Sequence, residues 1–287
     1  MTLGSTTRDA VAAAVDRLPP RLRSSMLVNS VALGPFAFTL RGWLNLLALQ
    51  KLDPRVGRRL AGPDGLVGLG VRAWDGRPLL VRPAGTDWET AQVSVVRAVH
   101  RPPEGLTGVA TILDLGANIG ATVADLAGAY PGAEVLGVEL DAANVAVAER
   151  NIAQWGGRAR IIHGAVWTED GEISYGGDRG EWAYRVVPAM DERTAAEVID
   201  TVPAFSLATL VERLAPGGRV DYVKMDVEGA EEFLLQNGDG WAIRVRCLQV
   251  EVHKPFDVPR CARRLEELGF RVTPDPSGIP SVAAIRD

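Results

Sequence analysis

Cysteine, lysine and histidine are scarce in this chain of 287 residues, and the first two scarcities each exclude a class of protein. The two cysteines, Cys247 and Cys261, are too few for a disulfide scaffold, and their spacing fits no zinc signature. A reducing, cytoplasmic setting is therefore expected. Lysine occurs three times, at Lys51, Lys224 and Lys254, so 28 of the 31 basic residues are arginine. Acidic residues still outnumber them, and the net charge of -5 argues against a partner with a phosphate backbone. Long apolar runs are missing as well. The most apolar stretch, Met26 to Leu49, is interrupted by Gly34-Pro35, Arg41 and Asn45, short of the roughly 20 residues a bilayer span requires. The first residues carry charges where an export signal needs an unbroken apolar core. No internal repeat or low-complexity tract stands out.

What is present describes a folded protein, with 47% hydrophobic and 23% charged residues. Residues 1–65 read as a helical cap or lid, with amphipathic helices over Ser24–Val31 and Phe36–Gln50 that offer a contact for homo-oligomerisation. Residues 66–287 read as the main domain. Its first part, 66–108, has an Asp75-Gly76 turn between two β-rich runs, then a helical stretch from Trp88 to His100. From 109 onward strands and helices alternate in the rhythm of a mostly parallel α/β sheet. Strands are expected at Val109–Leu115, Glu134–Glu139, Ala159–Ile162, Val220–Val227 and Val245–Val252, with Phe270–Thr273 and Val282–Ile285 closing the sheet as an antiparallel pair. That makes seven. Residues 168–204 are irregular and glycine-containing, which suggests an insertion of short antiparallel elements over the active edge. Tyr175, Trp182 and Tyr184 there are candidates for acceptor contact, as are Trp155, Trp167 and Trp241, although scattered tryptophans are more often core.

The segment Asp114-Leu-Gly116-Ala-Asn118-Ile-Gly120 ends one strand and opens a helix, the place where nucleotide sites form. Gly116 permits a tight turn, and Gly120 permits close helix–strand packing. A dinucleotide fingerprint needs a second glycine where this chain has Asn118. A side chain there obstructs a diphosphate but suits S-adenosylmethionine, which has none. Asp114 is placed to neutralise the amine of its methionine part, and Glu139 to accept from both ribose hydroxyls. After the third strand, the backbone of Ala165 and Val166 is expected at the adenine, with His163 a strand-end residue.

The string Lys224-Met-Asp226-Val-Glu228-Gly229-Ala230-Glu231 follows the fourth strand. Together with the Asp114–Gly120 loop and the block Leu79–Asp87, it resembles the FkbM family of S-adenosylmethionine-dependent methyltransferases, over roughly Leu66 to Ile285. The resemblance implies a class I methyltransferase fold, and transfer of a methyl group to a hydroxyl of a small molecule such as a sugar or polyketide in secondary metabolism. Transfer to nitrogen or a carboxyl group, and a silent cofactor-binding module, are the alternatives.

Residue chemistry adds a candidate site. Strand periodicity places Lys224 and Asp226 on one side at the active edge, and Glu228 reads as a helix cap. Glu251 and His253 alternate to a common face one strand on. An alcohol needs help to lose its proton, so His253 is a candidate general base polarised by Glu251, with Asp226 beside the reacting methyl. The other expectation is a divalent metal ion held by Asp226, Glu251 and His253.

Overall fold

The computed structural model describes residues 61–83, 85–176, 185–189, 198–274 and 278–286. The helices expected within residues 1–60 lie outside them. Among the described residues no helix is long and apolar enough to cross a membrane. The chain divides into two compact units, residues 1–97 and 98–287.

In the first unit, β1 (Val67–Gly70) and β2 (Pro78–Val81) pair antiparallel. Alternation buries Val67 and Leu69 on one strand and Leu79 and Val81 on the other. The connection is longer than a two-residue turn. A 3-10 turn at Arg72–Trp74 buries Trp74, and Asp75 and Gly76 then reverse the chain at φ of 56° and 82°. Helix α1 (Asp87–Ala91) follows and widens into a π-helical turn over Gln92–Val96, instead of running to His100. The β-branched Val93, Val95 and Val96 are poor helix formers. Asp87 is buried and tied to Arg82 by an ion pair of 2.7 Å.

In the second unit, β3 (Thr111–Leu115), α2 (Ala121–Ala129), β4 (Glu134–Glu139), α3 (Ala142–Ile152) and β5 (Ala159–His163) succeed one another. Four strands come next: β6 (Ala165–Trp167), β7 (Gly171–Gly176), β8 (Arg185–Val186) and β9 (Val198–Ser206). The alternation resumes with α4 (Leu207–Leu214), β10 (Val220–Met225), α5 (Glu231–Gln236), β11 (Val245–Glu251), α6 (Val258–Glu267), β12 (Arg271–Pro274) and β13 (Ser281–Ile285). Side-chain caps mark the starts of α3, α4 and α6, where Asp141 accepts from the Asn144 amide, Ser206 from that of Thr209 and Asp257 from that of Arg260.

Seven strands form the main sheet in the order β12-β13-β11-β10-β3-β4-β5. All run parallel except β13, which is antiparallel to β11 and β12. This is the expected class I methyltransferase architecture, with its C-terminal antiparallel hairpin. Strand order reverses between β3 and β10, so the crevice at their carboxyl ends is the switch point where ligands of such sheets bind. The described parts of the irregular insertion form strands. β6, β9, β7 and β8 make a second, four-stranded sheet with a register shift at Tyr175/Gly176.

Two apolar clusters cover the faces of the main sheet. Tyr222 is fully buried, and its hydroxyl lies 2.6 Å from Gln249 Oε1 and 2.9 Å from the His100 carbonyl oxygen. Gln249 Nε2 in turn donates to the Val99 carbonyl, so the segment ahead of β3 is pinned to the sheet. Both cysteines are buried free thiols whose pKa burial pushes up to about 12.

Candidate functional site

The turn after β3 is built by three left-handed residues, Gly116, Asn118 and Gly120, with φ of 79°, 49° and 72°. Gly116 abuts the backbone of Asp226. A Cβ on Gly120 would meet Cβ of Ala148 at 2.9 Å. Gly120 thus lets α2 approach α3, and its close contact is helix to helix, not the helix-to-strand contact expected, because the turn carries it away from the sheet.

Glu139 ends β4 and organises this turn. Its Oε2 accepts from the Asn118 amide at 2.8 Å, and its Oε1 from the Asp141 amide at 2.9 Å and Asn144 Nδ2 at 3.3 Å. Burial raises the pKa of the carboxyl group, and these donors oppose the rise. Gly116, Asn118 and Glu139 line one crevice, whose far wall includes Gly164, Ala165 and Val166. His163 stands at the strand end with Nε2 3.1 Å from the Leu140 carbonyl oxygen.

Asp114 is fully buried and does not line the crevice; its Oδ1 lies 3.1 Å from Lys224 Nζ. Lys224 is itself buried, donates to the Gly116 carbonyl at 2.8 Å and lies 3.3 Å from Asp226 Oδ2. Burial works against its charge, but Asp114 and Asp226 outweigh it and raise its pKa. One ammonium group thus joins the motif after β3 to the motif after β10. Burial pushes the Asp226 pKa up, but Lys224 and His253 bring it below the ordinary value.

His253 lies two residues past β11. Its Nδ1 is 2.8 Å from Glu231 Oε1, and its Nε2 faces Glu228, Asp226 and Glu251 at 3.6, 3.8 and 3.9 Å. Burial disfavours the imidazolium, yet the hydrogen bond to Glu231 and the charges of Glu228, Glu231 and Asp226 raise its pKa to about 9. Glu228 and Glu251 are both pushed up to about 7, first by burial.

Three expectations change here. The carboxylate hydrogen-bonded to His253 is that of Glu231 and not of Glu251, because α5 starts at residue 231 and turns Glu231 inward. Glu228 caps no helix. It sits three residues ahead of α5 in a left-handed conformation with φ 51°, and its carboxylate approaches His253. The three residues expected to hold a metal do not form one group. Donor atoms among the described residues fall into two triads sharing Asp226, one with Glu228 and His253 and one with Glu251 and His100.

Glu231 and His100 were missed by sequence reasoning. Glu231 stands within the quoted string, but a helix cap at Glu228 would put Glu231 inside the helix, whereas α5 begins at Glu231. His100 precedes the first motif, and only the fold brings it to Asp226. Of the aromatic candidates, Tyr175 and Trp241 are core, Trp155 and Trp167 pack against the apolar clusters, and Trp182 and Tyr184 lie outside the described residues.

A profile of the FkbM methyltransferase domain matches residues 114–272, which takes in both motifs and the small sheet between them. The chain belongs to the FkbM methyltransferase family. This FkbM chain is 29% identical over 153 residues to the release factor glutamine methyltransferase of Geobacter sulfurreducens, a match that covers 52% of this chain and 48% of that protein. The chain therefore spans about half the length of that relative. Among solved structures, it is similar to a precorrin-6y C5,15-methyltransferase from Geobacter metallireducens, at 11% identity and TM-score 0.39 over 67% of this chain and 88% of that one. It is also similar to an O-methyltransferase family protein from Burkholderia thailandensis, at 14% identity and TM-score 0.41 over 69% and 57%.

Proposed function

We propose that this FkbM chain transfers a methyl group from S-adenosylmethionine to a hydroxyl oxygen of a small molecule, a sugar or polyketide being the class the family resemblance suggests. The observation that carries this reading is one crevice, over the switch point between β3 and β10, with a glycine turn and Glu139 on one side and Asp226 on the other.

The donor set suits the cofactor. Gly116 lines the crevice without a side chain, and Glu139 lines it with a carboxylate that can accept from ribose hydroxyls. The Asn118 amide already donates to Glu139, so it is not free to cradle a diphosphate, which disfavours a dinucleotide. Ala165 and Val166 supply backbone and apolar contact for a base. Asp114, paired with Lys224, acts through that lysine instead of touching the amine directly. The bound cofactor supplies a methyl group activated by its sulfonium.

The protein's own residues then align the acceptor and take its proton. With Nδ1 engaged by Glu231, Nε2 of the neutral imidazole is the nitrogen available to the acceptor hydroxyl. Asp226 lies between His253 and the glycine turn and orients the acceptor there. Amine acceptors have less need of such a base, and that favours oxygen over nitrogen.

Isothermal titration of the whole chain with S-adenosylhomocysteine tests the cofactor: micromolar binding is expected, and its absence would sink the reading. Matched hydroxyl, amine and carboxylic acid acceptors, assayed with labelled S-adenosylmethionine, test the transfer to oxygen.

A further inference from the structure

We infer that Glu231 is a positioning residue: it fixes the tautomer and orientation of His253, so that Nδ1–H points to Glu231 and Nε2 faces Asp226 and Glu228, two carboxylates that line the crevice. The inference rests on the reading of His253 as proton acceptor and goes beyond it, because it says which nitrogen works and what selects it.

The geometry carries the argument. Glu231 has no exposed surface, so its rotamer is set by packing. Its Oε1 accepts from the Gly229 amide at 3.1 Å as well as lying 2.8 Å from His253 Nδ1. A carboxylate oxygen that already receives one N–H has no proton to give, so Nδ1 is the donor. Nε2 is then the lone-pair nitrogen of the neutral ring. It has no hydrogen-bond partner among the described residues, since the carboxylates of Glu228, Asp226 and Glu251 all stand 3.6 Å or more away. One nitrogen is held and the other is left open.

Glu231 is the first residue of α5, and the four residues before it come from the motif that also supplies Asp226 and Glu228. Register is thereby transmitted: a shift of that turn would move Asp226, Glu228 and the support of His253 together. A merely structural carboxylate would only need to satisfy the Gly229 amide. Glu231 does more, because its second oxygen, Oε2, is buried without a hydrogen-bond partner, a cost that an apolar residue would avoid.

The chain has three histidines, so imidazole nitrogen signals can be assigned by single substitution. Whole protein labelled with nitrogen-15 and saturated with S-adenosylhomocysteine is titrated through pH 10, roughly one unit above the value at which the ring loses its proton. His253 is expected to end with a pyrrole-type Nδ1 and a pyridine-type Nε2. Glu231→Gln keeps an acceptor but removes the charge, and the midpoint should fall by about one pH unit with the tautomer kept. Glu231→Ala should move the ring toward the Nε2–H form that free imidazole prefers. An Nε2–H tautomer in the wild-type protein overturns the inference, and so does an unchanged midpoint in Glu231→Gln. The wild-type spectrum decides even if a variant does not fold. Failure of the wider reading looks different: the expected tautomer would be present, but His253→Gln would leave turnover unchanged.

Discussion

A β-carbon on Gly116 would lie 1.8 Å from the main-chain carbonyl oxygen of Asp226, so the turn after β3 and the acidic motif after β10 meet backbone to backbone. Neither can shift without the other. Gly116→Ala also forces a side chain into a left-handed conformation. The expected result is a loss of about 2–4 kcal/mol in denaturant unfolding, together with loss of S-adenosylhomocysteine binding in titration. A variant with wild-type stability would contradict the packing described.

Glu139 holds the turn and is proposed to hold the ribose, so two substitutions separate these duties. Glu139→Gln retains an acceptor for one amide and should weaken S-adenosylhomocysteine binding about tenfold, near 1.4 kcal/mol. Glu139→Ala leaves the Asn118 and Asp141 amides without their acceptor, and should cost about 1–3 kcal/mol of stability besides. Calorimetry and unfolding on the same samples check both.

His253 and its neighbours give stability a pH dependence of definite sign. Folding raises Glu228 and Glu251 from 4.5 to about 7 and His253 from 6.5 to about 9. Each raised pKa makes the native state bind more protons than the unfolded chain inside its window. The contribution is complete below the unfolded values and is lost as pH rises through the folded ones. Thermal unfolding should therefore show this cluster stabilising more at pH 5 than at pH 9.5, and His253→Gln should flatten the upper half of that fall. A stability rising from pH 7 to 9.5 would contradict it.

The strands of the main sheet were legible because periodicity, glycine turns and strand length are local signals. Glu134–Glu139 begins and ends where its pattern does. The crevice was legible for the same reason, since Gly116, Asn118 and Glu139 each sit at a strand end. What was not legible depended on side chains crossing between elements. Lys224 spans from β10 to the Asp114 carboxylate and the Gly116 carbonyl, and no spacing in the sequence announces that. Alternation past the end of β11 placed Glu251 and His253 on one face, but β11 stops at Glu251 and the ring of His253 turns to Glu231.

A division of labour follows for turnover. Asp226→Asn and His253→Gln should lower the rate about 10²–10³-fold while leaving the S-adenosylhomocysteine dissociation constant within about threefold. Lys224 keeps Asp114 and the Gly116 carbonyl in the first variant, so the fold should persist. Equal losses of binding and rate would contradict the assignment.

On the reading in which His253 takes the proton, the rate should rise with pH toward about 9, the value below which the ring is charged. Treatment with a chelator should leave that profile in place. A rate abolished by chelation and restored by a divalent ion would instead favour a metal, with the two triads around Asp226 as its candidate holders.

The buried thiols have a use unrelated to the reaction. Cys247 lies in a central strand and Cys261 in the helix that covers the sheet, both without exposed surface. Thiolate is the form that reacts with alkylating reagents, and in the folded chain neither group ionises near neutrality. Each cysteine therefore serves as an internal clock. The speed at which a thiol reagent labels it measures how often the sheet or its covering helix opens, with no engineered probe needed.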